Sequence, residues 1–355
     1  MIDGPNGAAQ VRPQPSPLLV VSGSIHFDVI VQLPHLPREN DRIVPSAMTL
    51  APGGMGGNVA AAFARLGGHS RFAGAFAADA DGEALRADLI RDGVDTRWAG
   101  TRPGRDYRGF ILVGTDGVRA IVGGWPQIAH LQRAPGQAPG SVQHVSRAPW
   151  NPSREQSTVE TALDPGLFGD DPAAFYCPFN HGPLVLATVP ESVPVFMDLE
   201  TGHIEDWDRA AVWGGLERAT VIFANDRNMA SLAAVLGESS PTALSERLQT
   251  VLIETTGPDG CVIHDQGTRT DVPGHPVAAI DTTGAGDCFA AAFLLGLLRG
   301  NGPVESASFA NVAAALSTRQ LGSRAGVPTA AAIELLTGGA WDLDALRTLE
   351  ASVHR

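Results

Sequence analysis

The sequence predicts an α/β fold in which a mostly parallel sheet is covered by helices on both faces. Three observations predict it: short apolar, β-rich runs recur along the chain, helical patterns fall between them, and 355 residues at 44% hydrophobic suffice for one large core. The candidate strands are 18–25, 70–76, 110–114, 174–179, 194–199, 220–224 and 250–254. The candidate helices are 58–66, 82–92, 209–218, 227–236, 285–299, 304–320 and 343–353. Ligands of such sheets bind beyond the carboxyl ends of the strands. Asn180, Asp198 and Asn225 stand at those ends.

Two stretches break the alternation. Residues 29–33, 43–50 and 107–122 read as antiparallel strands, with Asp116-Gly117 as a hairpin turn, and they predict a small sheet outside the main one. Residues 123–172 are rich in Pro, Gly, Ser and Gln and read as a long loop or insertion without a functional reading. Residues 1–17 lack the apolar core of a signal peptide and read as a disordered leader, which leaves 18–355 as a single domain.

Composition removes several function classes. The net charge is −13 and no basic stripe interrupts it, which argues against a nucleic-acid partner. No apolar run reaches ~18 residues, the length a membrane-spanning helix needs. Cys177, Cys261 and Cys288 lie far apart in apolar contexts and read as buried thiols of a reducing, cytoplasmic compartment. All 25 basic residues counted as Lys or Arg are Arg. A Walker A loop, a Schiff-base enzyme and a protein kinase each need a Lys, so all three mechanisms are excluded.

The most informative segment is Asp281-Thr-Thr-Gly-Ala-Gly-Asp287, which runs straight into an apolar helix. A helix start presents unpaired N–H groups and partial positive charge, and glycines let an anion approach that backbone. The plainer reading of Asp287 is a carboxylate that complements the helix dipole. A second glycine turn, Pro52-Gly-Gly-Met-Gly-Gly-Asn58, also feeds a helix, and the plainer reading makes Asn58 its N-cap. Upstream, Gly23-Ser-Ile-His-Phe-Asp28 ends a strand on a carboxylate. A carboxylate, an amide and bare glycine backbone suit a polyhydroxylated ligand.

Together these segments resemble the ribokinase-like (PfkB) family of carbohydrate kinases. The likeness rests on Gly53-Gly54 with Asn58, on the intact run Asp281–Asp287, and on Gly23–Asp28, and it extends over about 18–336. It implies a three-layer αβα sandwich with a small β-sheet lid, formed within 29–51 and 105–123, that in some members also pairs two subunits as a homodimer. It implies Asp287 as catalytic base, the amides of Gly284, Ala285 and Gly286 as an anion hole, and Asp28, Gly54 and Asn58 as acceptor-binding residues. Thr255, Gly257 and Gly260 look like the nucleotide segment, and Asn225 and Asn311 are further implied nucleotide contacts. Asp281, Thr283, Ser317 and Gly322, with Gln320, correspond to a monovalent-cation (K+) site of some members.

The implied cosubstrate is ATP with Mg2+. Family members usually carry Asn-x-x-Glu, whose Glu organises Mg2+ through water. Here Asn225-Asp226-Arg227-Asn228 puts an uncharged amide there and leaves Asp226 as the neighbouring carboxylate. The leading expectation is a sugar kinase. A nucleoside kinase, for which Trp125 or Phe27 would supply a base slot, and a non-catalytic sugar- or nucleotide-binding relative are the alternatives. Met55 between the glycines supplies no cation for a phosphorylated acceptor, although Arg105 or Arg108 could reach in from the lid. Asn180 and lid side chains would set specificity.

Overall fold

The computed structural model describes residues 16–103, 108–115, 118–122, 165–168, 173–179, 188–199, 204 and 209–332. The expectations for residues 1–15, Arg105, the Asp116-Gly117 turn, Trp125, most of 123–172, Asn180 and the helix 343–353 lie outside them.

The first part of the chain runs β1 (Leu18–Val21), β2 (His26–Leu33), β3 (Ala47–Gly53), α1 (Met55–Arg65), β4 (His69–Phe72), β5 (Ala75–Ala77), α2 (Ala80–Arg91), β6 (Gly100–Arg102), β7 (Arg108–Gly114) and β8 (Arg119–Val122). Then follow β9 (Ala173–Pro178), β10 (Val195–Asp198), α3 (Arg209–Leu216), β11 (Ala219–Asn225), α4 (Asp226–Leu236), α5 (Pro241–Leu248), β12 (Val251–Thr255), β13 (Gly260–Asp265), β14 (Thr268–Pro273), α6 (Ala285–Leu298) and α7 (Pro303–Ser317).

The main sheet has the order β14-β13-β12-β11-β10-β9-β1-β4. From β4 to β12 every neighbouring pair is parallel, and the β12-β13-β14 edge is antiparallel. Side chains alternate along each strand, so the two faces build separate cores. Leu19, Val21, Tyr176, Phe196, Phe223 and Ile253 face α1, α2, α6 and α7, where Phe63, Leu85, Phe289, Phe293 and Phe309 pack. Leu18, Val20, Phe175, Cys177, Met197, Ile222 and Leu252 face the other layer, with Val212, Met229 and Leu244. The result is the expected three-layer α/β architecture.

The expected small outer sheet is also present, in the order β3-β2-β7-β8. One expectation about it needs correction. β2 and β7 pair in parallel, while β2-β3 and β7-β8 are antiparallel. The reason is connectivity: β2 reaches β7 only after α1, β4 and α2, and a crossover of that length suits parallel pairing. The inner face of this sheet carries Ile30, Ile111 and Val113, which pack with Ala51 and Leu321.

Boundaries moved where turns intervene. The strand expected over 18–25 stops at Val21, and Asp28 lies inside β2 rather than at the end of a main-sheet strand. The run 70–76 divides into β4 and β5, and β5 pairs with β6. Of the expected insertion, residues 165–168 are described: Leu167 and Phe168 are buried, and the Arg71 guanidinium donates to the Leu167 carbonyl at 2.5 Å. No described helix is long and apolar enough to cross a membrane. The three cysteines are free and buried. Burial alone pushes the Cys177 thiol up, and burial also raises Cys261 and Cys288 to about 12.

Candidate active site

Two glycine turns, far apart in sequence, meet at the starts of α1 and α6. α1 begins at Met55 with Gly54 as its N-cap, at φ 85, so Asn58 is not the cap. Its amide N–H bonds to the Gly54 carbonyl at 2.9 Å, and its side chain projects from the first turn. α6 begins at Ala285 behind Gly284, which is left-handed at φ 76. Asp287 stands in that first turn, and Asn58 Nδ2 donates to Asp287 Oδ2 at 2.7 Å.

The other side of Asn58 is closed. Arg324 Nε donates to Asn58 Oδ1 at 2.9 Å, and the Ser323 hydroxyl lies 3.0 Å from the same oxygen and 2.9 Å from the Pro52 carbonyl. Arg324 also donates to the Gly53 carbonyl at 2.9 Å and pairs with Asp88 of α2 at 3.1 Å. It is only 4% exposed. Burial pushes its guanidinium below the usual arginine value, and Asp88 and Asp92 work against that. It stays charged, since arginine titrates so high. The sequence held one pointer to this residue, a lone Arg within an otherwise small-residue stretch, and nothing that tied it to Asn58.

Asp28 forms the neighbouring wall. It is buried, with Oδ1 3.2 Å from His26 Nε2. A Cβ on Gly53 would stand 1.9 Å from Asp28 Oδ2, and one on Gly109 would stand 2.4 Å from Oδ1. Phe27 is half-buried and packs against the core. Met55 is buried, with its sulfur 3.2 Å from the Tyr176 hydroxyl, which donates to Asp198 at 2.9 Å. Arg108 pairs with Asp81 at 2.6 Å.

Around the second turn the Ala285 amide bonds back to the Thr282 carbonyl at 3.3 Å, so only part of the expected trio of amides points outward. A Cβ on Gly284 would meet Ser323 at 2.6 Å, whereas a Cβ on Gly286 would meet nothing within 4 Å. Arg119 of the outer sheet donates to Thr282 Oγ1 at 3.1 Å and is the one described cation bonded to a side chain of this turn. Asp281 is buried. Its Oδ1 accepts from the Thr283 amide at 2.9 Å and hydroxyl at 2.6 Å, and its Oδ2 accepts from the Gly322 amide at 2.8 Å. Ser317 turns its hydroxyl onto the Ala314 carbonyl instead. No group of three or more His, Cys, Asp or Glu is placed to hold a metal among the described residues.

Four of the five expected nucleotide residues lie at or just after the carboxyl ends of two adjacent strands. Asn225 and Thr255 are register partners on β11 and β12. Gly257 and Gly260 shape the turn after β12, at φ 65 and 106. Asn311 of α7 donates to the Val272 and Pro273 carbonyls at 3.2 and 2.9 Å. Asn225 caps α4 by accepting from the Asn228 amide at 2.8 Å, and Asp226 is exposed beside it. Asn228 is buried and donates to the Leu199 carbonyl at 2.8 Å.

Residues 16–159 and 206–330 match the pfkB family carbohydrate kinase profile. The chain belongs to that family. It is therefore a phosphotransferase of the carbohydrate kinase class, with an alcohol group as acceptor. A ribokinase of Bacillus subtilis is 26% identical over 322 residues, which are 90% of this chain and 98% of that protein. An ATP-dependent ribose-1-phosphate kinase of Halopiger xanaduensis is 28% identical over 319 residues, 88% of this chain and 95% of its own length. Among solved structures, a Burkholderia thailandensis nucleoside kinase in complex with inosine shares the pfkB-type fold at a TM-score of 0.67 and 22% identity, covering 90% of this chain and 96% of that one.

Proposed function

We propose that this chain phosphorylates a hydroxyl of a small sugar or sugar-like acceptor with ATP, with Asp287 as the general base. One observation carries the reading: the 2.7 Å bond between Asn58 and Asp287, which joins the two glycine turns across 229 residues of chain. An acceptor held by Asp28, Gly54 and Asn58 would lie against the carboxylate that takes its proton. Such proton removal is general-base catalysis. The first-turn amides of α6, with Gly284 and Gly286 leaving the backbone bare, would face the charge on the phosphoryl oxygens. ATP supplies the phosphoryl group, and Mg2+ offsets charge on its oxygens. Thr255, Gly257, Gly260 and Asn225 would line the nucleotide side at the strand ends, where such sheets take their ligands.

The metal side fits less well. Asn228 is committed to the Leu199 carbonyl, so it contributes no charge, and Asp226 is the neighbouring carboxylate. Asp281 would be the residue for a K+ ion behind the turn, because it is buried and its three described donors are all neutral.

A sugar is preferred to a nucleoside because Phe27, the one base-slot candidate among the described residues, is half-buried and packed against the core. Among the described residues nothing favours a phosphorylated acceptor, because Met55 is apolar and Arg108 is held by Asp81. On the outer sheet Leu50, Val29, Phe110 and Val122 follow one another across four strands, and Leu50, Phe110 and Val122 are exposed. This supports a homodimer paired through the lid.

The test is Asp287→Asn, measured with the acceptor that supports ATP consumption in a screen of hexoses, pentoses, keto-deoxy acids and nucleosides. Turnover is expected to fall ~10²–10⁴-fold while nucleotide binding survives. Near wild-type turnover would sink the mechanism. Nucleotide binding without ATP consumption on any acceptor would favour a non-catalytic relative.

A further inference from the structure

We propose that Arg324 is a positioning residue that fixes the amide of Asn58, so that its N–H group faces Asp287 and the acceptor. This rests on the reading of Asp287 and Asn58 given above.

The argument starts from donor chemistry. A guanidinium only donates, so the Asn58 atom 2.9 Å from Arg324 Nε has to be the oxygen. The nitrogen is then forced to the other side, where Asp287 Oδ2 accepts from it at 2.7 Å. The Ser323 hydroxyl has one proton for two acceptors, Asn58 Oδ1 and the Pro52 carbonyl, and cannot fix the orientation alone. Without Arg324, a flipped Asn58 would point its oxygen at the Asp287 carboxylate, acceptor against acceptor.

Arg324 is itself fixed. Its remaining nitrogens bond to the Gly53 carbonyl and to Asp88, and its own carbonyl accepts from Arg65, which pairs with Asp92. The charged groups around it are thus Arg65, Asp88, Asp92 and Asp287. The first glycine turn makes room for it, since a Cβ on Gly57 would stand 2.3 Å from Arg324 Nη2. Gly57 is thereby explained by the guanidinium, as Gly53 is by Asp28.

The experiment is a kinetic double-mutant cycle of Arg324→Met and Asn58→Ala, with Arg324→Lys and Asp287→Asn in the same series. Arg324→Met should raise the acceptor KM about tenfold, the effect of one charge-assisted hydrogen bond, and lower kcat as well. It should leave the KM for ATP unchanged. In the Asn58→Ala background the same change should leave acceptor KM where it was, because contacting residues acting as a unit are non-additive. Arg324→Lys should recover part of the acceptor KM.

A purely structural Arg324 would lower thermal stability and the active fraction but leave acceptor KM alone, and that result would overturn the proposal. So would full additivity with Asn58→Ala. Should Arg324→Met not fold, Gly57→Ala crowds the guanidinium most and Ile25 less, keeps the charge, and should raise acceptor KM in the same direction. An unchanged KM in that variant would overturn the proposal too. If Asp287→Asn keeps its turnover, the base assignment fails separately, and the Arg324–Asn58 coupling in acceptor KM is still read from the cycle.

Discussion

The two glycine turns look alike in sequence and differ in what demands their glycines. In the first, the protein itself demands them: a Cβ on Gly53 would strike Asp28, and one on Gly57 would strike Arg324. In the second, Gly284 is pinned by Ser323, but a Cβ on Gly286 would meet nothing. Packing therefore explains the first turn and leaves Gly286 unexplained. A glycine in a helical first turn that nothing crowds points to something outside the chain approaching its backbone.

Substitution separates the two cases. Gly286→Ala should leave the melting temperature unchanged or higher, because Ala is the better helix former by up to about 1 kcal/mol. Its turnover should fall by up to ~10²–10³-fold, the effect of one lost donor to a developing anion, because the added methyl would hold the anion off the backbone N–H. Gly53→Ala should do the reverse in kind, costing about 1–3 kcal/mol of stability through overpacking against Asp28. A Gly286→Ala enzyme with normal turnover, or a Gly53→Ala protein of normal stability, would break the comparison.

Smaller effects sharpen it at the nucleotide side. Asn228→Glu supplies the carboxylate that the family resemblance leads one to expect, yet it deletes the donor to the Leu199 carbonyl and sets a buried charge beside it. A loss of about 1–3 kcal/mol is expected, read as a lower denaturant midpoint at unchanged slope. An unshifted midpoint would mean that the Asn228 bond contributes nothing. The least effect is expected from the monovalent cation. K+ beside Asp281 would orient the peptide dipoles of the second turn, so turnover should rise modestly in K+ over a large organic cation at equal ionic strength. Equal rates in the two salts would remove the cation from behind this turn while leaving the comparison of glycines standing.

The main sheet was legible because its strands are apolar; α1 and α4 carry an apolar face, α2 and α4 a side-chain cap, and α6 and α7 long apolar runs, and with α3 they all fall near where the sequence put them. The β13-β14 hairpin was not read. β14, Thr-Arg-Thr-Asp-Val-Pro, is an exposed edge with one buried residue, Val272, and it gives no apolar run. Its turn signal was present, since Gln266 and Gly267 both have positive φ, as a two-residue hairpin loop requires. α5 was missed although Ser240 caps it and Pro241 follows, which is a helix start by rule. Of the candidate site, the motif residues were visible because their spacing is local. Arg324, Ser323 and Arg119 were not, because their roles depend on contacts with Asn58, Pro52 and Thr282 that only the folded chain makes.

The bonds from Ser323 and Arg324 to Pro52, Gly53 and Asn58 also set an order of assembly. They join positions 265 to 271 residues apart. During synthesis the first glycine turn emerges early and waits for its partners, and closing a loop of that length is slow. A nascent chain can complete β1, α1 and much of the sheet while the Asn58 amide is still free to turn. Only when the segment after α7 docks does the amide acquire its direction. A chain cut short before this segment would thus hold both glycine turns with the Asn58 amide undirected, and a late section of the chain is the one that directs it.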